Sequence, residues 1–294
     1  MWRDRRPWLL AAPALALVLF FFAIPVAQLA RVSLCIGGGS SGFGIGGGGF
    51  YQPGTWTLAT WKGMLGDEYF REVLTFTVEL GLGVAAITVL FAYPLALFIR
   101  SLSPLWRSFA LCLVLLPKIA NLLVVVYGLE LLLGNEGPVN RILVGSGIVA
   151  EPLTLFHNLT GTVIGKTYLV IPYAILVLVA SLARLDPALP IAARGLGASP
   201  WRAFWTITFP LSVPGLALAG LISLIWALGA FVSPYLLGSP DQITLAVDVQ
   251  RQTFENVNWP RGAADAVAML LTVGITLLLY RIPAGLARRA AGAA

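Results

Sequence analysis

Six long apolar runs decide what this chain can fold into. They cover residues 8–30, 73–99, 109–133, 159–182, 213–237 and 263–280. A helix rises about 1.5 Å per residue, so each run crosses, or nearly crosses, about 30 Å of hydrocarbon. Only 11% of the 294 residues are charged and 58% are hydrophobic, at a mean hydropathy of +0.87. Soluble domains carry about 25% charged residues. Lipid offers backbone polar groups no water, and a helix satisfies them within its own segment. The expected fold is all-α and integral to a lipid bilayer, with six transmembrane helices.

The connections are short and distinctive. A basic leader, MWRDRRPW, precedes the first run. That run is longer than the apolar part of a typical signal peptide, so it reads as an uncleaved first span. Residues 37–49, GGGSSGFGIGGGG, have no strand before them and no lysine after them. They read as a flexible linker and not as a nucleotide loop. Residues 55–71, with Trp56, Trp61 and Tyr69, read as an interfacial helix with aromatic anchors. Pro94, Pro117 and Pro172 fall inside runs and are candidate kinks. The segmentation is therefore 1–30, 31–72, a five-span core at 73–281 that includes a polar loop at 186–210, and a tail at 282–294.

Alternating the spans sorts the flanking charges. One side holds Arg3, Arg5, Arg6, Arg100, Arg107, Arg184, Arg194, Arg202, Arg281, Arg288 and Arg289 against Asp4 and Asp186. The other holds six bases against nine acids. Positive flanks stay in the cytoplasm, which places both termini and the 186–210 loop there. The net charge of +6 is assigned to this orientation and not to a nucleic-acid partner.

The 186–210 loop reads DPALPIAARGLGASPWRAFWTITFP, two short helices joined by a turn. Asp186 caps the first, with Pro187 at its first position, and Pro190 delays its start. Gly195 and Gly197 end it. Ser199 caps the second, with Pro200 just inside. Trp201, Phe204, Trp205 and Thr208 form one stripe at helical spacing. Pro210 and Pro214 break the pattern before the next run.

Ala192-Ala193, three residues, Gly197, nine residues, Ile207, one residue and Phe209-Pro210 resemble the EAA loop of binding-protein-dependent ABC importer permeases. The resemblance implies a type I importer permease fold whose coupling helix docks into a cleft on a separate ATPase. The coupling residues it implies are Ala192, Ala193, Leu196, Gly197, Ser199, Pro200, Trp201, Ile207 and Pro210. Two positions depart from the family: Ile191 stands where it carries an acid before the alanines, and Gly195 where an acid often precedes Leu-Gly. Tyr127-Gly128-Leu129, Gly137-Pro138-Val139-Asn140, His157-Asn158, Gly165 with Tyr168 and Pro172, Leu185-Asp186-Pro187 and Trp259-Pro260-x-Gly262-Ala263-Ala264 are similar to the spermidine/putrescine-type branch. That likeness runs from about Trp8 to Tyr280. It implies a multi-pass protein of the bacterial inner membrane with two ATPase subunits, which carry the ATP and Mg²⁺. It also implies a second permease subunit, identical or a sister chain, and a periplasmic or extracellular solute-binding protein.

The chain's own chemistry is sparse. Gly161-Thr-Val-Ile-Gly165-Lys166-Thr167 imitates a P-loop, but has three residues between its glycines where the loop needs four. His157 is the single histidine and reads as a polar interface residue; no triad, zinc or paired-carboxylate pattern accompanies it. Cys35 and Cys112 fit no metal spacing. No catalytic residue, metal ligand or cofactor is expected on this chain. Charges inside spans are expensive and tend to face a cavity or a partner. Four qualify, Glu79, Lys118, Glu130 and Lys166; Lys118 lies mid-span, while Glu130 and Lys166 lie nearer the outer ends, where snorkelling relieves them. Lys118, Asn121, Tyr127, Glu130, Lys166, Tyr168, Trp226 and Ser233 are the candidate pathway residues. An unpaired Lys118 on the path would favour an anionic solute, or balance a partner subunit's carboxylate, and would repel a polycation; the alternative is an internal Lys–Glu pair or a snorkelled side chain. A secondary transporter, a membrane-embedded enzyme and a non-transporting scaffold subunit are the competing readings.

Overall fold

A computed structural model describes residues 6–37 and 50–291, with side chains for 11–37 and 50–280. The glycine-rich segment beyond Gly37, Arg3, Arg5 and the side chains of the 282–294 tail lie outside the described residues. In chain order the helices are α1 (Arg6–Val32), α2 (Ala59–Gly66), α3 (Glu68–Ser101), α4 (Pro104–Leu115), α5 (Leu122–Leu133), α6 (Pro138–Gly145) and α7 (Leu159–Leu182). They continue as α8 (Ala188–Gly195), α9 (Pro200–Ala203), α10 (Phe209–Gly229), α11 (Val232–Leu237), α12 (Leu245–Gln250) and α13 (Trp259–Ala291). Two-residue strands β1 (Ile36–Gly37) and β2 (Tyr51–Gln52) pair antiparallel.

Among the described residues, six helical stretches are long and apolar enough to span a membrane: Ala11–Val32, Glu68–Ser101, Leu122–Gly145, Leu159–Leu182, Pro200–Gly229 and Trp259–Tyr280. Two differ from the sequence expectation. The run at 109–133 is not one helix. Pro117 cannot donate a backbone bond, a 3₁₀ turn occupies Leu116–Lys118, and Asn121 opens a new helix by accepting from the Leu123 N–H at 2.9 Å. The run at 213–237 is cut after Gly229, where Ala230 turns extended (φ −71°, ψ 118°). Its helix instead begins upstream. The interfacial helix expected over 55–71 is also divided. Asp67 is extended (ψ 123°) and its Oδ1 accepts the Tyr69 N–H at 3.2 Å, so α2 ends and α3 starts there.

The chain forms two compact units. One comprises Met1–Glu72 and Leu245–Leu271. In it Trp61 donates to Ser33 Oγ at 3.2 Å, and Phe50 stacks on Trp259 at 4.5 Å. Arg261 bridges Asp67 (3.2 Å) and the buried Asp265 (3.3 Å), and the Tyr69 hydroxyl donates to the buried Asp248 at 3.0 Å. No residue of the Ala11–Val32 stretch is buried within the chain.

The other unit comprises Val73–Thr244 and Thr272–Ala294. Its core joins α3, α7 and α10 through Ala92, Ala96, Ile99, Ala174, Ile175, Leu178, Leu182 and Ala219. Small residues let these backbones approach closely, which is how membrane helices gain packing energy without a hydrophobic drive between them. A Cβ on Gly215 of α10 would run into the Ser181 hydroxyl of α7.

Candidate functional site

The 186–210 hairpin is built by local capping chemistry. Asp186 Oδ1 accepts the Ala188 N–H at 2.8 Å, and α8 starts at Ala188. Pro190 does not delay it, because the first-turn N–H groups have no helical partner to lose. At the other end Gly197 N–H reaches Arg194 C=O and Ala198 N–H reaches Ala193 C=O, each at 3.0 Å. Gly197 has φ +91°. These bonds are a Schellman stop, and glycine takes the left-handed position without strain. Leu196 N–H bonds Ala192 C=O at 3.0 Å, so the Ala192-Ala193 pair supplies carbonyls that close the turn. Ser199 Oγ then accepts the Arg202 N–H at 3.2 Å, with Pro200 at the first helical position.

The expected break at Pro210 and Pro214 does not occur. From Pro200 to Gly229 the chain is one 30-residue helical stretch. A π turn at Phe204–Thr208 carries the Phe209 N–H back to Phe204 C=O. The wider turn shifts the ladder by one residue just before Pro210, where no donor exists. It also divides the expected aromatic stripe. Trp201 (70% exposed) and Trp205 (45%) face outward, with rings 5.6 Å apart. Phe204, Ile207, Thr208 and Phe209 are half-buried, and Pro210 is exposed. Phe204 and Phe209 lie 6.4 and 6.2 Å from Tyr93 of α3, whose hydroxyl pairs with Ser212 Oγ at 2.7 Å. Arg100 donates to Leu185 C=O at 3.0 Å, a cation at the end of α7 where the helix dipole favours one. Outward-facing Ile191 (66%) and Leu196 (91%) complete an apolar tip of a kind that marks interaction surfaces.

The intramembrane candidates divide into separate places. Lys118 donates to Leu169 C=O and lies over the rings of Tyr173 (4.5 Å) and Trp226 (5.0 Å). Among the described residues it forms no ion pair, so the internal Lys–Glu pair is not made; a carbonyl and two aromatic faces solvate its charge. Lys166 is not snorkelled. It is 1% exposed and donates to Ala227 C=O at 3.0 Å, near the end of α10. Gly161 and Gly165 sit inside α7, where a Cβ on Gly165 would lie 2.5 Å from Ser233 Oγ and Leu237 Cδ1 of α11. The P-loop look-alike is thus a packing seam. Ser233 is buried in it, with its Oγ 3.3 Å from Thr162 C=O.

Trp226 and Ser233, with Leu122, Leu169 and residues 229–232, line a cavity of about 330 Å³ where α10 breaks. Glu130 lies elsewhere, in a groove of about 720 Å³ with Glu136, Arg141, Thr154 and His157. His157 is exposed, with φ +55° and its ring 3.8 Å from Phe156. Asn121 is a helix cap, while Tyr127 (53%) and Tyr168 (37%) face the surroundings. Sequence reasoning did not single out Tyr93, Ser212 or Tyr173, whose roles depend on partners distant in the chain.

Comparison with known proteins follows the same lines. Residues 80–292 match the family described as binding-protein-dependent transport system inner membrane component. The spermidine/putrescine transport system permease protein PotB of Escherichia coli (strain K12) is 30% identical over 224 residues, covering 76% of this chain and 81% of the relative. The sulfate transport system permease protein CysW of Synechocystis is 26% identical over 223 residues, covering 74% and 78%. Among solved structures, a bacterial ABC transporter involved in the import of the acidic polysaccharide alginate aligns at TM-score 0.69 and 20% identity, over 98% of both chains. The MetNI methionine ABC transporter aligns at 0.51 and 17% identity, over 73% of this chain and 96% of its own.

Proposed function

The chain belongs to the binding-protein-dependent transport system inner membrane components, and from that premise we propose that it is one permease half of an ATP-driven importer, coupled to its ATPase through the 186–210 hairpin. One observation carries the reading: an apolar, exposed tip sits at the end of a helical stretch that continues without interruption to Gly229. A push on the tip is a push on the span. The flanking charges favour a cytoplasmic hairpin and cytoplasmic termini.

On this reading two ATPase subunits bind and hydrolyse ATP with Mg²⁺, and one of them receives this hairpin. A second permease half, identical or a sister chain, completes the pathway, and a solute-binding protein delivers cargo from outside. ATP-driven approach of the ATPases moves the hairpin and α10 as one body, and the Tyr93–Ser212 bond carries the displacement to α3. Access then switches by rigid-body rearrangement of packed helices. The energy comes from the ATPases binding the two states unequally.

For the solute we favour a polyamine-like organic cation, following the permeases 30% identical to this chain. Lys118 is held against Leu169 C=O and two aromatic faces, which anchor its ammonium without cancelling its charge. The sulfate permease among the relatives shows that the family admits solutes of either charge.

Co-purification of the tagged chain from its native host in mild detergent tests the proposal. A P-loop ATPase is expected in stoichiometric amount, and Gly197→Ile is expected to lose it, because a β-branched residue resists φ +91°. A chain that purifies alone and transports in ATP-free vesicles would overturn the proposal in favour of a secondary transporter.

A further inference from the structure

The exposed tip has a composition that specifies what receives it. Between Pro187 and Phe209 there is no acidic residue. Asp186, just before, has one carboxylate oxygen committed to the α8 cap. Ile191, Leu196, Trp201 and Trp205 supply the apolar surface. Arg194 and Arg202 are exposed among them, with no ion pair formed by either among the described residues. Ile191 and Arg194 are three residues apart on α8, so they share a face; Arg202 and Trp205 have the same spacing across the start of the π turn. Tryptophan, arginine and large aliphatic side chains together are the composition of an interface core.

Desolvation sets the complementary surface. An arginine buried against an apolar wall loses its water without a partner, so Arg194 and Arg202 require acceptors across the contact. A lysine or arginine facing Ile191 would be stripped of water for nothing in return. We infer that the surface receiving this hairpin, on the ATPase subunit of the importer, carries carboxylates opposite Arg194 and Arg202 and an uncharged, apolar wall opposite Ile191. The inference rests on the permease reading and adds the partner's chemistry. The hairpin docks as a cationic, aromatic plug into an acid-rimmed apolar cleft, with no carboxylate of its own engaged.

The test titrates the ATPase recovered with the wild-type chain against detergent-solubilised permease variants, at about 50 and 500 mM salt. Arg194→Glu and Arg202→Glu are expected to weaken binding at least tenfold at low salt and to flatten its salt dependence. Ile191→Glu is expected to weaken it at least tenfold. Ile191→Gln, similar in size and uncharged, should lose clearly less. A carboxylate-to-lysine change in the cleft should restore Arg202→Glu. All three permease positions are exposed, and unchanged melting curves confirm folding. Tighter binding of Ile191→Glu, or indifference to both arginine reversals, would overturn the inference while leaving the permease reading intact. Failure of any ATPase to bind the wild-type chain would overturn both.

Discussion

Gly165 shows how little room separates α7 from α11. A Cβ there would sit 2.5 Å from Ser233 Oγ and Leu237 Cδ1, and both atoms are in a buried seam. Gly83, on α3, has nothing within 4 Å of the same construction. The two glycines therefore respond oppositely to alanine. Gly165→Ala overpacks the seam and should cost about 1–3 kcal/mol, seen as a lower melting temperature in detergent. Gly83→Ala meets no clash and should gain about 0.5–1 kcal/mol through helix propensity. Equal shifts for the two would mean the seam is not tight. The same stretch shows what a sequence conceals at this scale. Gly161, Gly165, Lys166 and Thr167 are consecutive enough to imitate a phosphate loop, and spacing alone can reject that reading without supplying another. What replaces it, a glycine face against α11 and a lysine ammonium on Ala227 C=O, depends on residues more than sixty positions away. Lys118 is similar: its mid-span position is plain in the sequence, but the rings that hold it, Tyr173 and Trp226, are not its neighbours in the chain.

At the scale of elements, the order and number of spans were legible, because hydropathy integrates over twenty residues and tolerates local error. The caps of the hairpin were legible too, since Asp186, Ser199 and Gly197 act within three or four residues. The ends of the third and fifth spans were not. Proline was read as a break at 210 and as a kink at 117, and the structure reverses the two. At Pro210 a π turn has already re-aimed the ladder; at Pro117 no such turn precedes, and Asn121 stands ready to cap a new helix. Propensity does not distinguish these cases, because the outcome is decided by the turn preceding the proline. On the proposed reading, continuity through Pro210 makes the hairpin a lever, and it can be cut. Two glycines inserted between Thr208 and Phe209 leave the tip's docking side chains unchanged but add slack where the lever meets the span. ATPase binding should stay within about threefold, since the docking side chains are untouched, while solute uptake into proteoliposomes should fall at least tenfold. Uptake at the wild-type rate would show that the push reaches the membrane by another element.

For the molecule as a whole, the sign of the charge asymmetry has to agree with the location of the docking surface, or the importer reading fails. Apart from Arg194 and Arg202 in the hairpin itself, nine arginines flank that side and the opposite flanks are net acidic, a bias that orients the spans as they insert. The exposed tip was identified on different grounds: capping, exposure and a continuous helix. The importer reading requires the two to agree: the charge bias favours the cytoplasmic side for the hairpin, and the proposed docking to an ATPase needs it there. Single cysteines introduced into a chain with Cys35 and Cys112 replaced make the agreement measurable. Ala198→Cys reports the Schellman turn and Ser146→Cys reports the connection after α6; Ala198 is half-exposed and Ser146 exposed, with φ −83°. A membrane-impermeant maleimide added to intact cells whose outer membrane has been permeabilised should label Cys at 146 and spare Cys at 198; inverted vesicles should show the reverse. Labelling of position 198 from outside would put the hairpin on the side where no ATPase has substrate, and neither the lever nor its acid-rimmed receptor would survive that result.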